Sequence, residues 1–564
     1  MSAGESGTPA TASEPVTAPL KGGVVRGIWR WIDRNFLELG REMRLSYLPP
    51  LMVYMAAGIS GLTAIVGTFF VKDYLGISAA FLAALGFWAG IPWALKMPMG
   101  HLVDLVWRWK GWLVFLGASL IALSLLVMVF LIGNREAMAA IMPVEAWYVL
   151  SVLLAPIGYV LQDAVADAMT VEAVPHVERD GTPIDPERRK LMHTTMQTLG
   201  RVAIISGTVL VALINLYMFS GTQALPEAEK ARIYQDIYLM ALAIPLISVL
   251  GVVFASILKV RRRRRYLASG MSAEEADEAL SQPEEPTAPN WWILGGSLVF
   301  VIFTVTMGLG QFPYNQEIIF VGSFAIVAFL VARLTRVLDP AARETLIGTA
   351  IVIFIFRAIP SPGPGVSWWT IDVLGFDQQF FSVLDLTASA LTLAGMFIFR
   401  RFMADHTITY IVGALTIAAA ILSLPFIGMY YGLHEWTASV TGGVVDARFI
   451  ALVNTALESP LGQIAMIPML AWIARSAPAN LKATFFAIMA SFTNLALSAS
   501  QLGTKYLNQI FIITREVKDP ATGAVKVAAD YSQMGELLLV QLAIGVALPF
   551  AAILVVKATR MRTA

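Results

Sequence analysis

Long apolar segments alternate with short polar or charged ones along most of the chain. A membrane-spanning helix needs about 20 largely apolar residues. On that criterion the first half predicts spans near residues 47–71, 78–99, 111–133, 146–172, 192–218 and 236–259. The rest predicts spans near 292–312, 317–335, 345–364, 380–400, 407–430, 448–473, 483–512 and 536–557. The pattern therefore predicts an all-α polytopic membrane protein with about 14 spans in a 6+2+6 order.

Basic residues collect at one end of these predicted spans. Lys259 and the run Arg261–Arg265 follow the sixth span, and Arg188–Lys190 follow the fourth. Loops rich in Lys and Arg favour the cytoplasmic side of a membrane. We therefore expect both termini in the cytoplasm and the protein in the bacterial inner membrane.

Two groups of six spans are the plan of the major facilitator superfamily, whose halves are repeats with the substrate site at their interface. The helical spacing of apolar and basic residues before the first span fits either an amphipathic helix or a cytoplasmic extension of that span. The predicted parts are a cytoplasmic tail with an amphipathic helix at 1–45, a six-helix bundle at 46–260, a flexible cytoplasmic linker at 261–291, two inserted spans at 292–340 and a second bundle at 341–564.

Composition narrows the function. Of 564 residues, 57% are hydrophobic and 14% charged, and the formal net charge is +1, which argues against a nucleic-acid partner. The chain has no Cys and 5 His, all at or near loops, so no disulfide or metal site is predicted. No Walker-type glycine loop and no nucleophile–base pair is visible. We expect neither an enzyme nor a cofactor.

The stretch LQDAVADAMTVE puts acids into an apolar helix. A carboxylate at mid-membrane costs roughly 2.5–3.5 kcal/mol on insertion scales, so such acids indicate a functional site. Asp163 and Asp167 are four residues apart and share one helix face, whereas Glu172 points elsewhere, towards the membrane surface. Arg201 lies at matching depth in the next span and is a predicted partner of Asp163, in an ion pair that is either structural or opened during transport.

Arg357 lies within a span and is followed by Pro360, Pro362 and Pro364, which should break or kink the helix. A guanidinium beside an interrupted helix suits a carboxylate or phosphate group, because it offers paired donors and stays charged. We expect Arg357 to contact an anionic substrate rather than a structural partner.

The segment NTALESPLGQ places a second set of polar residues in the membrane. Glu458 lies near mid-membrane before Ser459 and Pro460 and is the candidate proton carrier, although a carboxyl held in a polar contact between helices fits as well. Asn454, Gln463 and Asp385 are candidate substrate contacts, with Asp385 nearer the outer end of its helix.

The loop after the second span, KMPMGHLVD, has a candidate conformational role. Lys96, Gly100 and Asp104 are similar to the cytoplasmic loop signature of major facilitator proteins, in which Gly allows a tight turn and the acid latches one conformation. A solvated loop charge is the alternative. FRRFMADH in the second half is a weak echo of this loop.

The chain resembles the folate-biopterin transporter family of the major facilitator superfamily. The likeness rests on four stretches: WALKMPMGHLVD, LQDAVADAMTVE, AIPSPGPGVSWWTIDVLGFDQQFFSVL and LKATFFAIMASFTNL. It implies a proton-linked carrier of pterin- or folate-like anions, with Asp163, Asp167, Arg201, Arg357 and Glu458 facing the cavity. The two spans from 292 to 335 depart from the shorter link that is usual in that family.

The sequence also allows other functions. Similar acid pairs occur in the muropeptide permease and acetyl-CoA transporter families, so a permease for muropeptides or another bulky anion is the second hypothesis. The third is a membrane assembly or scaffold protein that has this fold but moves no solute. In each case the lipid bilayer is a partner, and the carriers add protons and a small anion.

Overall fold

The computed structural model describes residues 43–94, 96–175, 182, 184–280, 291–309, 312–462, 464, 482–518 and 525–563. The amphipathic helix predicted in the tail and the candidate site residue Gln463 lie outside these ranges. Of Asp104, the structure describes the backbone only. From Leu45 onward the chain forms one compact unit.

Helices dominate the first part of the chain. Their bounds are α1 Leu45–Tyr74, α2 Ala79–Ala94, α3 Lys96–Leu105, α4 Lys110–Gly133, α5 Arg135–Ala139, α6 Val144–Ala173, α7 Pro186–Met218, α8 Glu227–Ala241, α9 Ala243–Ala268 and α10 Ala273–Leu280. A 3₁₀ turn at Ser60–Thr63 interrupts α1. We call the end of the bundle that carries Arg261–Arg265 the basic end, and the other the opposite end.

The second part is helical as well. Its helices are α11 Trp291–Leu309, α12 Asn315–Leu334, α13 Pro340–Arg357, α14 Gly365–Asp372, α15 Gln378–Ile398, α16 Arg400–Asp405, α17 Ile408–Tyr430, α18 Leu433–Val440, α19 Ala447–Glu458, α20 Lys482–Ile510 and α21 Met534–Ala558. Between α20 and α21, β1 Val517–Lys518 pairs antiparallel with β2 Val525–Val527. The described residues contain 8 helices long and apolar enough to cross a membrane.

Polar side chains fix several helix starts. Asp339 precedes α13 and accepts a hydrogen bond from Ala342 N at 2.9 Å, with Pro340 in the first helical position. Asp446 caps α19 in the same way, accepting from Phe449 N at 2.8 Å. Each cap satisfies a backbone donor that the helix leaves unpaired, which typically stabilises a helix by about 1 kcal/mol.

Small residues let the helices of the first half approach closely. A Cβ added at Gly117 of α4 would lie 2.6 Å from the Gly158 oxygen of α6, too close for any other residue type. Two turns further, the hydroxyl oxygens of Ser124 and Ser151 lie 3.0 Å apart. Because lipid offers no hydrophobic driving force between helices, such close packing and shared hydrogen bonds are what hold the half together.

The two halves meet along α2 and α20. Phe87 of α2 and Leu495 of α20 are fully buried in one apolar core, and Asn494 Nδ2 donates to the Trp93 oxygen at 3.2 Å. The helix α12 touches both sides of this contact: Glu317 pairs with Lys505 of α20 at 2.7 Å, and Gln316 Nε2 donates to an α2 backbone oxygen at 3.3 Å.

Residues 261–268 and 273–280 are helical, within the segment that the sequence predicted as a flexible linker. The helix α9 runs on to Ala268, and α10 folds back beside it. Ser272 and Glu275 form a reciprocal cap at the start of α10, with distances of 2.8 and 3.1 Å. Arg263 then holds Asp277 through two bonds of 2.6 and 2.9 Å. The polar composition of this segment is typical of a flexible linker and does not indicate these specific side-chain bonds.

Candidate functional site

A partly buried group of charges lies where α1, α3 and α6 meet. Lys96 Nζ is 2.6 Å from Asp163 Oδ2 and 3.0 Å from Asp167 Oδ2. The Tyr54 hydroxyl donates to the other oxygen of Asp167 at 2.6 Å. We call these residues (Tyr54, Lys96, Asp163 and Asp167) the acid–lysine cluster.

Helix geometry explains the cluster. Asp163 and Asp167 are one turn apart on α6, so one ammonium group reaches both carboxylates. Lys96 is the first residue of α3, which packs against α6. A Cβ added at Gly200 of α7 would lie 2.8 Å from the Tyr54 ring, so glycine at this position lets the ring lie against α7. The side chains of Lys96 and Asp163 are 19% and 16% exposed, respectively. Removing most of the water around these two charges costs free energy, and their mutual attraction and hydrogen bonds must offset that cost.

The structure corrects the predicted pair between Asp163 and Arg201. The ion-pair partner of Asp163 is Lys96, whereas Arg201 acts on that carboxylate and on Tyr54 only through its longer-range positive charge. Matching depth along two helices does not fix which way their side chains point, and the Arg201 side chain is exposed.

The loop signature after the second span also differs from expectation. Lys96 belongs to the acid–lysine cluster. Gly100 lies inside α3 with open space around it, so the expected tight turn is wrong, because the chain continues as a helix there. Asp104 lies on the same helix, and its predicted latch remains a prediction.

The break predicted beyond Arg357 is confirmed. The helix α13 ends at Arg357, and α14 begins at Gly365 after non-helical residues. Gly363 has a φ of 87°, which favours glycine. Arg357 stands at the C-terminus of α13, where the helix dipole favours a cation.

Side chains from α20 and α21 satisfy the backbone of this break. Ser500, Thr504 and Asn508 recur every fourth residue on one face of α20. Irregular backbone is tolerated at membrane depth only where such partners exist. The bonds join Ser500 Oγ to the Ile359 oxygen at 2.7 Å, Thr504 Oγ1 to Ser361 N at 2.9 Å, Asn508 Nδ2 to the Pro362 oxygen at 3.1 Å and Gln541 Nε2 to the Pro360 oxygen at 3.2 Å.

A second helix ends at an ionisable residue. Glu458 is the last residue of α19, and a 3₁₀ turn follows it. The Thr392 hydroxyl of α15 donates to the Ser459 oxygen at 3.0 Å and so fixes the turn. Asn454 Oδ1 is buried and has no hydrogen-bond partner in the described part of the chain. Asp385 lies in the second turn of α15, nearer the opposite end.

At the opposite end, a second group of charges joins the two halves. Lys72 Nζ of α1 lies 2.6 Å from Asp372 Oδ1, at the end of α14. The Tyr531 hydroxyl, just before α21, donates to Asp372 Oδ2 at 2.5 Å. Together with Arg515, these residues form what we call the gate cluster.

Arg515 completes the gate cluster from the loop before β1. Its Nε donates to the Lys72 oxygen at 2.7 Å, and Nη1 donates to the Ile77 oxygen at 2.9 Å. The guanidinium lies over the Trp368 ring at 4.5 Å and is 3% exposed. Burial lowers the pKa of Arg515 from its ordinary value, although Asp73, Tyr531 and Asp372 oppose this. Arg515 is not among the residues predicted from the sequence, because charged residues are ordinary in a polar loop.

Comparison with known proteins decides the family. The BT1 family profile matches residues 57–562. The chain belongs to the BT1 family. A relative, the folate-biopterin transporter of Synechocystis sp. (strain ATCC 27184 / PCC 6803 / Kazusa), is 23% identical over 468 residues, which cover 82% of this chain and 74% of the relative. The predicted family is therefore confirmed, and the chain stands among membrane transporters rather than enzymes.

Solved structures show the fold of this BT1-family chain. A POT family transporter in complex with 5-aminolevulinic acid matches with a TM-score of 0.57 and 12% identity, over 91% of this chain and 96% of its own. The peptide transporter POT in complex with sulfate matches with a TM-score of 0.56 and 16% identity, over 91% and 94%. The predicted all-α, major facilitator-type fold of a multi-pass membrane protein is confirmed. The number of 14 spans stays a prediction.

Of the predicted site residues, the structure of this BT1-family chain brings Lys96, Asp163 and Asp167 into direct contact. Arg357, Asp385 and Glu458 lie on three separate helices of the second half, α13, α15 and α19. Glu172 is outside the acid–lysine cluster and pairs with Lys110 at 2.5 Å at the basic end.

Proposed function

We propose that this BT1-family chain is a proton-coupled secondary transporter that moves a small organic anion, of pterin or folate type, across the bacterial inner membrane. Both termini lie in the cytoplasm, so the basic end is the cytoplasmic one. The name of the Synechocystis relative supports this class of substrate, and the basic residues support the orientation.

The acid–lysine cluster carries the proposal. Asp163 and Asp167 bring two negative charges, and Lys96 with the nearby Arg201 brings two positive ones, so the charges balance when both acids are ionised. A proton that binds one acid leaves a surplus positive charge. Because an unbalanced charge in a membrane interior is costly, an anionic substrate offsets it. The proton and the anion therefore favour each other's binding.

Arg357 is the proposed site for the substrate's anionic group. It stands where α13 ends, at the kind of discontinuous helix that forms binding sites in transporters. The bonds from α20 and α21 hold the broken backbone in place, which keeps the guanidinium at a fixed position. Asn454, Asp385 and Gln463 are the further proposed substrate contacts, and Glu458 is a second proton carrier.

In a transporter that works by alternating access, the gate cluster would close the opposite end of the bundle. The cluster ties the halves together at the opposite end, which supports a state closed to the outside. Asp167 is 47% exposed and lies six residues before the basic end of α6, which supports access from the cytoplasm in the same state. Opening to the outside then requires the gate cluster to separate.

Uptake by purified protein in liposomes tests this function. With an imposed proton gradient, labelled folate or pterin should accumulate, and Asp163→Asn should abolish the dependence on the gradient. The control is Glu172→Gln on the same helix, which should keep it. Uptake that ignores the gradient would exclude proton coupling. No uptake across pterins, folates and muropeptides, together with a co-purifying protein partner, would favour the scaffold hypothesis.

A further inference from the structure

The exposed face of α9 is a continuous stripe. Within the apolar part of the helix, the side chains at its surface recur every three or four residues and are 40–56% exposed, which is the pattern of a face in contact with lipid. They are Leu246, Leu250, Val253, Ile257 and Val260. Continued by the same spacing, the stripe reaches Arg261, Arg264 and Arg265, all exposed.

The neighbouring arginines point elsewhere. Arg263 is bound to Asp277 of α10 by two bonds of 2.6 and 2.9 Å. Arg262 is partly buried, and the negative charge of Glu172 acts on it. Tyr266 is buried, and so is Ala276 of α10. Within the described residues, the side chains of Arg261, Arg264 and Arg265 form neither a hydrogen bond nor an ion pair. The helix therefore directs Arg262 and Arg263 towards acidic residues of the protein and the other three arginines towards the lipid side.

We propose that Arg261, Arg264 and Arg265 form a binding site for the headgroups of anionic phospholipids. Position and charge both support this site. Arg264 lies four residues past Val260, the last apolar residue of the exposed stripe, which is roughly 6 Å along the helix axis. The headgroup layer begins where the hydrocarbon ends and is roughly 5–7 Å thick on each side, and basic residues at this depth attract anionic lipids.

The helix α10 gives the site its shape. Its cap at Ser272 and its bond from Asp277 hold it beside the part of α9 that carries Arg263. Asp277 therefore neutralises Arg263, and Glu275 is engaged in the cap with Ser272. The site is independent of the transported substrate, since it lies on the outer surface of the first half.

Lipid retention by the full-length protein tests this site. The protein is exchanged into detergent with an equal mixture of phosphatidylglycerol and phosphatidylcholine, and the bound lipids are counted by native mass spectrometry. The triple variant Arg261→Gln, Arg264→Gln, Arg265→Gln should retain at least threefold less phosphatidylglycerol and unchanged phosphatidylcholine. Replacing the same three residues by Lys should keep most of the retention, because the attraction is electrostatic.

The matched control compares two single variants, each of which removes one arginine charge: one on the lipid side of α9 and one on the side facing α10. Arg264→Gln should lower phosphatidylglycerol retention, whereas Arg263→Gln should leave it unchanged. Equal losses in these two variants, or full retention in the triple Gln variant, would overturn the proposal. Competition by millimolar inorganic phosphate as effective as that by phosphatidylglycerol would also overturn it, since it would show an anion site without lipid selectivity. Unchanged thermal unfolding confirms that the variants are folded.

Discussion

The acid–lysine cluster and the gate cluster use the same chemistry in different places. In each, a lysine lies 2.6 Å from an aspartate. In each, a tyrosine hydroxyl donates to an aspartate, at 2.6 Å from Tyr54 and at 2.5 Å from Tyr531. The difference is topological: every member of the first cluster belongs to the first half, whereas the second joins Lys72 of the first half to Asp372 and Tyr531 of the second.

This difference indicates what each cluster can do. When two halves rock as rigid bodies, contacts inside a half persist and contacts between halves break. The acid–lysine cluster can therefore respond to a proton or an anion in every conformation. The gate cluster responds to the conformation itself. In the proposed mechanism, the shared residue types Lys, Asp and Tyr thus serve binding in one place and closure in the other.

The largest expected effect comes from removing Lys96. Lys96→Ala leaves two acids without their cation in a partly buried site, and breaking such a pair costs about 3–5 kcal/mol when the remaining charge stays buried. Uptake should fall by about 100-fold or more, and the thermal unfolding temperature should drop. Lys96→Arg should restore part of both. Uptake by Lys96→Ala near the unmodified level would remove the cluster from the transport mechanism.

A cross-link across the gate cluster should have the next largest effect. The chain has no cysteine, so Lys72→Cys with Asp372→Cys introduces the only two thiols. A short bifunctional thiol reagent should lower uptake by at least tenfold, and cleavage of a reducible linker should restore it. The same reagent on Lys110→Cys with Glu172→Cys, a pair inside the first half, should leave uptake intact. Equal inhibition of both pairs would show that the comparison between the clusters is wrong.

A smaller effect is expected from Arg515. Arg515→Ala removes two bonds, one to the last turn of α1 and one to the loop after it, and a hydrogen bond to a charged group contributes about 1.5–3 kcal/mol. The opposite end should open more often, so that a thiol introduced by Ile77→Cys reacts with a polar maleimide about tenfold faster. Tyr531→Phe should raise the labelling rate less, because it removes one bond. Tyr54→Phe should not change it, and a rise there equal to that of Tyr531→Phe would contradict the assignment of closure to the gate cluster.

Part of this comparison could be predicted from the sequence. Long apolar segments predicted the fold class, and Asp163 and Asp167 were conspicuous because acids are rare in such segments. The prolines after Arg357 predicted the broken helix. These signals are local, since each depends on a residue type that conflicts with its immediate surroundings.

The remaining features depend on packing between distant segments. The distance of Lys96 from the acids is set by how α3 packs on α6, which the spacing of apolar residues does not encode. Arg201 was assigned as the partner because depth along a helix can be counted, while the rotation of the helix cannot. Arg515 and Tyr531 lie in a polar loop, where charged residues are ordinary, so nothing in the sequence distinguished them.

The smallest effect is expected from the ion pair of Arg263 and Asp277. This pair is exposed, so it shows what the same kind of contact contributes outside the two clusters. The bond from Arg263 lowers the pKa of Asp277 below its ordinary value of 3.8. A lowered carboxyl pKa stabilises the fold above the unfolded-state pKa, and this contribution is lost as the pH falls through the folded-state value. Hydrogen exchange, corrected for intrinsic rates, should therefore show less protection of α10 at pH 3 than at pH 6. Asp277→Asn should lower the protection at pH 6 and make its change with pH smaller, because residue 277 then does not titrate whereas Glu275 of the cap still does. If α10 in the unmodified protein is equally protected at pH 3 and pH 6, the bond to Arg263 is not what holds it.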